Sequence, residues 1–337
     1  MIIRKKSIPS FSIDFGTTAA LKFTCCIIIV LHHFSQYIVS EIGDANLFTT
    51  VLSSQGGYLA VSFFFFLSGY GLSINFYRKT ISFVEYLRKR LSKVYMPAVL
   101  VSIIWIIILN ILHINSIDIS QKSINIPSII KGVFESFILS FYDPVLWFVK
   151  IIILFYVLLY AYKKINHSIK SKKTLTLILF TVFSTIFVRY TIDTFASVSV
   201  PAFYIGVYTA ENPSMSKTSF FKYTFTVILI CATSLMFVGD FLMGVHGGIS
   251  IVVLLFLVYM LSYCEMTMCC PKFCGDMSYD VYLVHNKVKI LTLYFAHDLS
   301  LFFFILCTAI CTVAFWWIRH KVDVIIKYLI DKSKNGN

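Results

Sequence analysis

The sequence predicts an all-α, polytopic membrane protein with about ten transmembrane helices and both termini in the cytoplasm. Of its 337 residues, 58% are hydrophobic and only 13% are charged, and the mean hydropathy of +0.82 exceeds that of soluble domains. Several apolar runs approach the roughly 20 residues that cross a bilayer. The lysines and arginines are concentrated in the segments between these runs, as expected for charges that set the orientation of membrane spans. A single domain over residues 1–337, with a helical core at about 16–320, is therefore expected.

The candidate spans are ten apolar segments separated by polar or basic stretches. They cover residues 18–40, 57–77, 95–114, 145–162, 174–190, 195–210, 221–239, 247–264, 277–296 and 299–319. The sixth is the weakest candidate because it is short and contains Pro201 and Gly206. The chain shows neither an internal repeat nor a linker that would divide it.

The distribution of basic residues orients these spans. Most of the 29 lysines and arginines, among them Lys163 and, at the start of the C-terminal tail, Arg319, fall in segments predicted to lie inside, whereas the predicted outer loop 115–143 holds only Lys122 and Lys131. This bias is the positive-inside pattern of membrane proteins. The net charge of +13 therefore predicts contact with membrane lipid and not with nucleic acid. The start "MIIRKK" precedes Pro9, Asp14 and a full-length span without a cleavage site, so we expect the first span to be retained.

The nine cysteines are scattered, and most lie inside predicted spans, where cysteine acts as a small hydrophobe. The one cluster, "CEMTMCCPKFC", lacks the paired C-x-x-C spacing of a zinc site. No metal is expected.

Two ionisable residues of the first span stand out. Lys22 and His33 are 11 residues apart, which in a helix places them on the same face, three turns and roughly 16 Å from each other. Lys22 would lie at the cytoplasmic edge and His33 near the middle of the membrane, where ionisable groups are costly and often functional. His32 points about 100° away and is a candidate packing residue. Long basic side chains near span ends, such as Lys22, Lys150 and Arg189, can also simply snorkel to the headgroups.

A histidine at this depth can serve as a general base that activates a hydroxyl. A lysine at the inner edge can hold an anionic phosphate. Together they suit a group donor that has a charged head group and a long chain and that enters from the cytoplasmic side. A proton-coupled transporter could use the same pair.

Four further motifs follow in order: "GGYLAVSFFFFLSGYGL", "YLRKRLSKVYMPAVL", "LWFVKIIILFYVLL" and "MSYDVYLVH". With the first span, this order resembles the acyltransferase family 3 membrane proteins, which include O-acetyltransferases of bacterial surface polysaccharides. The resemblance covers about residues 16 to 320.

The family pattern can be matched residue by residue. The family has a basic residue in the first span and, after ten other residues, a histidine. These two positions match Lys22 and His33, and lysine stands here where arginine is common. The Phe-Phe-x-x-Ser-Gly motif and the Arg-x-x-Arg motif match Phe64, Phe65, Ser68 and Gly69, and then Arg90 and Lys93. The Ser-Tyr-x-x-Tyr-Leu-x-His motif matches Ser278, Tyr279, Tyr282, Leu283 and His285. Lysine keeps the charge at two of these positions but loses the bidentate fork of arginine.

The resemblance implies transfer of an acyl group, usually acetyl, from coenzyme A to a carbohydrate hydroxyl at the outer side of a bacterial inner membrane. His33 would be the general base or a transient acyl carrier. Lys22 and the basic group Arg88, Lys89, Arg90 and Lys93 would hold the donor phosphates, although these charges also fit ordinary topogenic roles. Acetyl-CoA and a cell-surface or lipid-linked glycan are the expected partners.

The ninth span carries a polar face. Ser278, Tyr282, His285 and Lys289 recur at steps of four, three and four and so share one side of a helix. Such a stripe either bounds a substrate cavity or forms a hydrogen-bonded seam between helices. Ser68 and Gly69 similarly fit a substrate role or close helix packing. Trp147 and Phe148 are expected to anchor the outer interface.

Two other function classes fit a polytopic chain. A transporter or flippase would use buried histidines as proton relays, and it more often shows paired repeats, which are not evident. A glycan polymerase or ligase usually needs a large outer loop with arginines, and the 115–143 loop has none. The sequence does not select a carboxylate partner for His33 among Glu41, Asp44, Asp143 and Asp240, and the same base would serve N-acylation.

Overall fold

The computed structural model of the protein describes residues 2–6, 9–76, 82–112, 146–168, 173–214, 217–235, 240–267, 272–296 and 299–335. The predicted outer loop 115–143 lies outside these residues.

The described chain is predominantly helical. Its helices are α1 Phe15–Tyr37, α2 Leu47–Val51, α3 Gly57–Phe76, α4 Phe83–Leu112, α5 Trp147–Ser168, α6 Lys173–Thr191, α7 Thr194–Ser197, α8 Val200–Glu211, α9 Lys217–Leu235, α10 Phe241–Tyr263, α11 Lys272–Ala296 and α12 Leu301–Asn335. Two π-helical turns, Ile38–Ile42 and Leu52–Gly56, continue α1 and α2. The described residues of the predicted spans are mostly helical, and the sixth span, 195–210, is divided between α7 and α8.

Six helical segments of the described chain are long and apolar enough to cross a membrane, which makes this an integral membrane protein. They are Phe15–Ile42, Leu47–Phe76, Phe83–Leu112, Lys173–Thr191, Phe241–Tyr263 and Leu301–Ile325. The other four predicted spans form helices that do not meet both criteria. The sixth, α8, has 12 residues and is therefore about 18 Å long, less than the roughly 30 Å of a hydrocarbon core. Ten spans and cytoplasmic termini stay predictions.

The chain separates into two compact units. The first combines Met1–Lys89 with Lys150–Gly275, and the second combines Arg90–Val149 with Asp276–Asn337. The single-domain assignment stays a prediction.

A small sheet in the first unit departs from the all-α prediction. β1, Ile2–Lys5, pairs antiparallel with β2, Cys264–Thr267. Next to it, the Lys6 ammonium donates to the carbonyl oxygens of Ser10 and Leu261. Partial burial lowers the pKa of Lys6, and nearby Glu265 opposes this effect. The strands escaped the sequence analysis because each has only four residues, too few for a clear alternating pattern.

The core of the first unit is a close crossing of α3 and α8. A Cβ added at Gly69 would overlap the backbone carbonyl oxygen of Phe203, and one at Gly206 would overlap that of Phe66. Each helix thus presents its glycine to the other helix's backbone, as small residues do in tightly packed membrane helices. The Phe203 ring stacks on Phe155 at a centroid distance of 4.0 Å. The glycine noted as weakening the sixth span is therefore what allows this packing.

We expect Gly69→Ala to destabilise the protein by about 1–3 kcal/mol or more, since the new methyl group meets backbone and not a movable side chain. Gly71 lies on the same helix, and a Cβ there has no heavy atom within 4 Å. Gly71→Ala should therefore be neutral or stabilising by up to about 1 kcal/mol. Thermal unfolding of the two variants in detergent measures the difference. Equal unfolding temperatures would show that the crossing tolerates a side chain.

Candidate active site

Lys22 and His33 lie on one uninterrupted helix, α1. The helix begins at an N-cap, where a carboxylate oxygen of Asp14 accepts from the Thr17 amide at 3.0 Å. Both side chains are half-buried. The three helical turns predicted between the two residues are therefore present.

His32 is a packed residue. It is 5% exposed, and its Nδ1 donates to the Leu52 carbonyl oxygen at 2.8 Å. A Cβ at Gly57 would lie 2.7 Å from its Nε2, so the ring occupies the space that this glycine leaves. This geometry agrees with the packing role inferred for His32.

The π-helical turn Leu52–Gly56 forms the wall against which α1 packs. It supplies the Leu52 carbonyl that accepts from His32, and Gly56 lies against the His32 Cβ. The second π-helical turn, Ile38–Ile42, begins five residues after His33. Such turns are rare and are often found at functional sites.

His33 has an amide partner that the sequence analysis did not identify. Its Nδ1 lies 2.9 Å from Oε1 of Gln36, and its ring centroid is 5.1 Å from that of His32. The partners considered for His33 from the sequence were carboxylates. Of those candidates, Asp240 caps α10 by accepting from the Met243 amide, Glu41 and Asp44 are exposed, and Asp143 lies outside the described residues. The i, i+3 spacing of His33 and Gln36 on one helix was the available signal.

Ser68 is half-buried on α3. The close approach predicted for the Ser68–Gly69 pair is made by Gly69, at the crossing with α8. A substrate role for Ser68 stays a prediction.

The basic residues near the start of α4 face mainly solvent. Arg88 and Lys93 are exposed, and Arg90 is half-buried. Lys89 pairs with Glu85 one turn earlier, at 2.6 Å, which makes it less available as a phosphate ligand. Arg88 belongs to the first compact unit, whereas Arg90 and Lys93 belong to the second.

In the second unit, α11 places a polar residue against this part of α4. The Tyr279 hydroxyl donates to the carbonyl oxygen of Val94 at 2.7 Å. Val94 follows Lys93 directly, so the Arg-x-x-Arg-like motif and the Ser-Tyr motif are neighbours in space.

The predicted polar face of α11 is mostly buried. Ser278, Tyr282 and His285 are at most 6% exposed, and Lys289 is half-buried. The His285 Nδ1 donates to the Tyr282 carbonyl oxygen at 2.7 Å. Phe148, expected to anchor the outer interface, is instead buried and lies 5.1 Å from the Tyr282 ring. The substrate role of this face stays a prediction.

Three charged residues of the second unit have partners that the sequence did not predict. Asp280 is fully buried, and its carboxylate accepts from Arg319 of α12 at 2.8 Å. Arg319 had been assigned to the cytoplasmic tail as topogenic charge. Lys287 is also buried and donates to the Leu283 carbonyl oxygen one turn earlier, at 2.9 Å.

Within the described residues, no group of three or more His, Cys, Asp and Glu side chains could hold a metal ion. Cys269 and Cys270 of the cysteine cluster lie outside these residues, so the expected absence of a metal stays a prediction.

Comparison with known proteins identifies the family. The profile of the acyltransferase domain of acyltransferase family 3 matches residues 17–320, nearly the whole chain. No curated protein matches the chain, and no solved structure does. The match includes both α1, with Lys22 and His33, and the Ser-Tyr motif of α11. The chain therefore belongs to acyltransferase family 3, and it is an integral-membrane acyltransferase.

Proposed function

We propose that the protein moves an acetyl group from acetyl-CoA to a hydroxyl of a cell-surface or lipid-linked glycan, in a bacterial inner membrane. The observation that carries the proposal is the setting of His33. Its imidazole is half-buried in a membrane-spanning helix, its Nδ1 is hydrogen-bonded to the amide oxygen of Gln36, and the cation Lys22 lies three turns away on the same helix. A neutral imidazole bonded in this way has its basic lone pair on Nε2.

In the proposed reaction, His33 Nε2 takes the proton of the acceptor hydroxyl. The oxygen attacks the thioester carbonyl, a carbon–oxygen bond forms, and the carbon–sulfur bond of acetyl-CoA breaks. The coenzyme A thiolate leaves with the electron pair and receives the proton that His33 carries. An ester of the glycan and free coenzyme A are the products.

The basic residues would bind the donor. Lys22, Arg88, Arg90 and Lys93 are assigned to the coenzyme phosphates, because ammonium and guanidinium groups form strong charge-assisted bonds with phosphate oxygens. The exposure of Arg88 and Lys93 supports access from the aqueous side. Ser68, Tyr282, His285 and Lys289 are each proposed to contact substrate.

The test combines two measurements on cells with and without the protein. Mass spectrometry of envelope glycans should find one added acetyl group only where the protein is present. Reconstituted protein should release free coenzyme A from acetyl-CoA when the glycan fraction is supplied. Glycan movement across the bilayer without any need for acetyl-CoA would instead identify a transporter and refute the proposal.

A further inference from the structure

We infer that Gln36 is a positioning residue that fixes the orientation and tautomer of His33, an inference that rests on the proposed role of His33 as the base. The side-chain amide oxygen of Gln36 lies 2.9 Å from His33 Nδ1. An oxygen can only accept, so the hydrogen of this bond is on Nδ1. The neutral ring then carries its lone pair on Nε2, the atom required to take up a proton.

The two residues are held at this distance by the helix. Positions i and i+3 of a helix lie next to each other on its surface, and α1 is continuous from Phe15 to Tyr37. Gln36 is half-buried, and its own backbone carbonyl accepts from the Ser40 hydroxyl at 2.7 Å. An amide orients the imidazole as a carboxylate does in other enzymes, but adds no charge inside a membrane span, where charge is costly.

Comparison with His32 shows why the positioning matters for only one of the two rings. His32 also donates from Nδ1, to the Leu52 carbonyl, but it is 5% exposed and packs with Nε2 against Gly57. His33 is only half-buried. The segment Leu47–Gly56, which packs on α1, contains no ionisable side chain. On this inference, two adjacent imidazoles have the same tautomer, one ring in the core and the other only half-buried.

The first test is kinetic. Gln36→Leu removes the acceptor and should lower kcat by about tenfold to a hundredfold. This loss is no larger than the rate enhancement that a general base usually contributes. The KM for acetyl-CoA should be unchanged. Gln36→Glu keeps an oxygen at the same position and should retain most of kcat. The matched control is Gln55→Leu, which removes a second Gln–His bond, in which Nδ1 of His246 donates to Oε1 of Gln55 at 2.8 Å. This variant should leave kcat of the folded protein unchanged. A rise in KM with constant kcat in Gln36→Leu would refute positioning.

The second test does not depend on activity. Solid-state NMR of protein labelled with ¹³C,¹⁵N-histidine in lipid bilayers distinguishes the two imidazole tautomers, and subtraction of the His33→Asn spectrum isolates His33 from the other seven histidines. Wild-type His33 should carry its hydrogen on Nδ1, and Gln36→Leu should shift the population toward Nε2. A wild-type ring protonated on Nε2 overturns the inference even if Gln36→Leu fails to fold.

The outcomes separate this inference from the proposed function. If His33→Ala is inactive but Gln36→Leu changes neither kcat nor the tautomer, the base assignment stands and the role of Gln36 is wrong. If His33→Ala is fully active, the assigned mechanism is wrong, whatever the tautomer.

Discussion

Replacing His33 with alanine is expected to lower acyl transfer by about two to four orders of magnitude, the usual contribution of a general base. The physical reason is that no hydroxyl proton can be removed at neutral pH without an acceptor of suitable basicity at that point. The measurement is the rate of coenzyme A release by reconstituted protein, compared with wild type at equal amounts of folded protein.

The matched control is His320→Ala. His320 is an exposed histidine of α12 that stacks on Trp316 at 5.8 Å, and we expect its loss to leave the rate unchanged. Monodisperse elution in detergent ensures that both variants are folded. Wild-type activity in a folded His33→Ala protein would exclude His33 as the base and as an acyl carrier.

Replacing Lys163 with methionine is expected to destabilise the first unit by about 3–5 kcal/mol, because it leaves a largely buried carboxylate without its counter-charge. The Lys163 side chain is 1% exposed, and its Nζ lies 2.6 Å from Oε1 of Glu211. The ammonium also donates to the Ser73 hydroxyl at 2.6 Å, and Tyr162 donates to the other oxygen of Glu211 at 3.0 Å. Glu211 ends α8, and a carboxylate at a helix C-terminus is unfavourable without such partners.

Two further variants make this prediction specific. Lys164→Met changes the neighbouring, exposed lysine and should shift the unfolding free energy by no more than about 0.5 kcal/mol. Lys163→Met combined with Glu211→Leu removes both charges and should recover much of the stability that the single variant loses. Thermal unfolding in detergent ranks the variants. A single variant as stable as Lys164→Met would show that the pair is dispensable.

The sequence predicted best those features that depend on one helix alone. The spacing of Lys22 and His33 fixed their shared face, because helical periodicity is a local property. The same held for Ser278, Tyr282 and His285 on α11. Gln36 is one turn away from His33 and equally local, but only carboxylates were considered as partners of the His33 imidazole.

Ion pairs between helices were harder to predict from the sequence. Lys163 and Arg319 were both assigned to topogenic charge at the cytoplasmic side, yet each forms an ion pair with a carboxylate on another helix. A hydropathy pattern counts charges along the chain and contains no information on which distant residue faces them. Asp280, inside a recognised motif, was overlooked for the same reason.

The sequence by itself determined the membrane-embedded helical architecture, the family and the register of His33 with Lys22. Each follows from the order and period of residues along the chain. Only the tertiary structure decided that α8 is a short buried helix crossed closely by α3 at Gly69 and Gly206, and that His32 packs against Gly57 whereas His33 bonds to Gln36. These outcomes depend on which backbone lies within contact distance of which side chain, a property of packing in three dimensions that no single segment encodes.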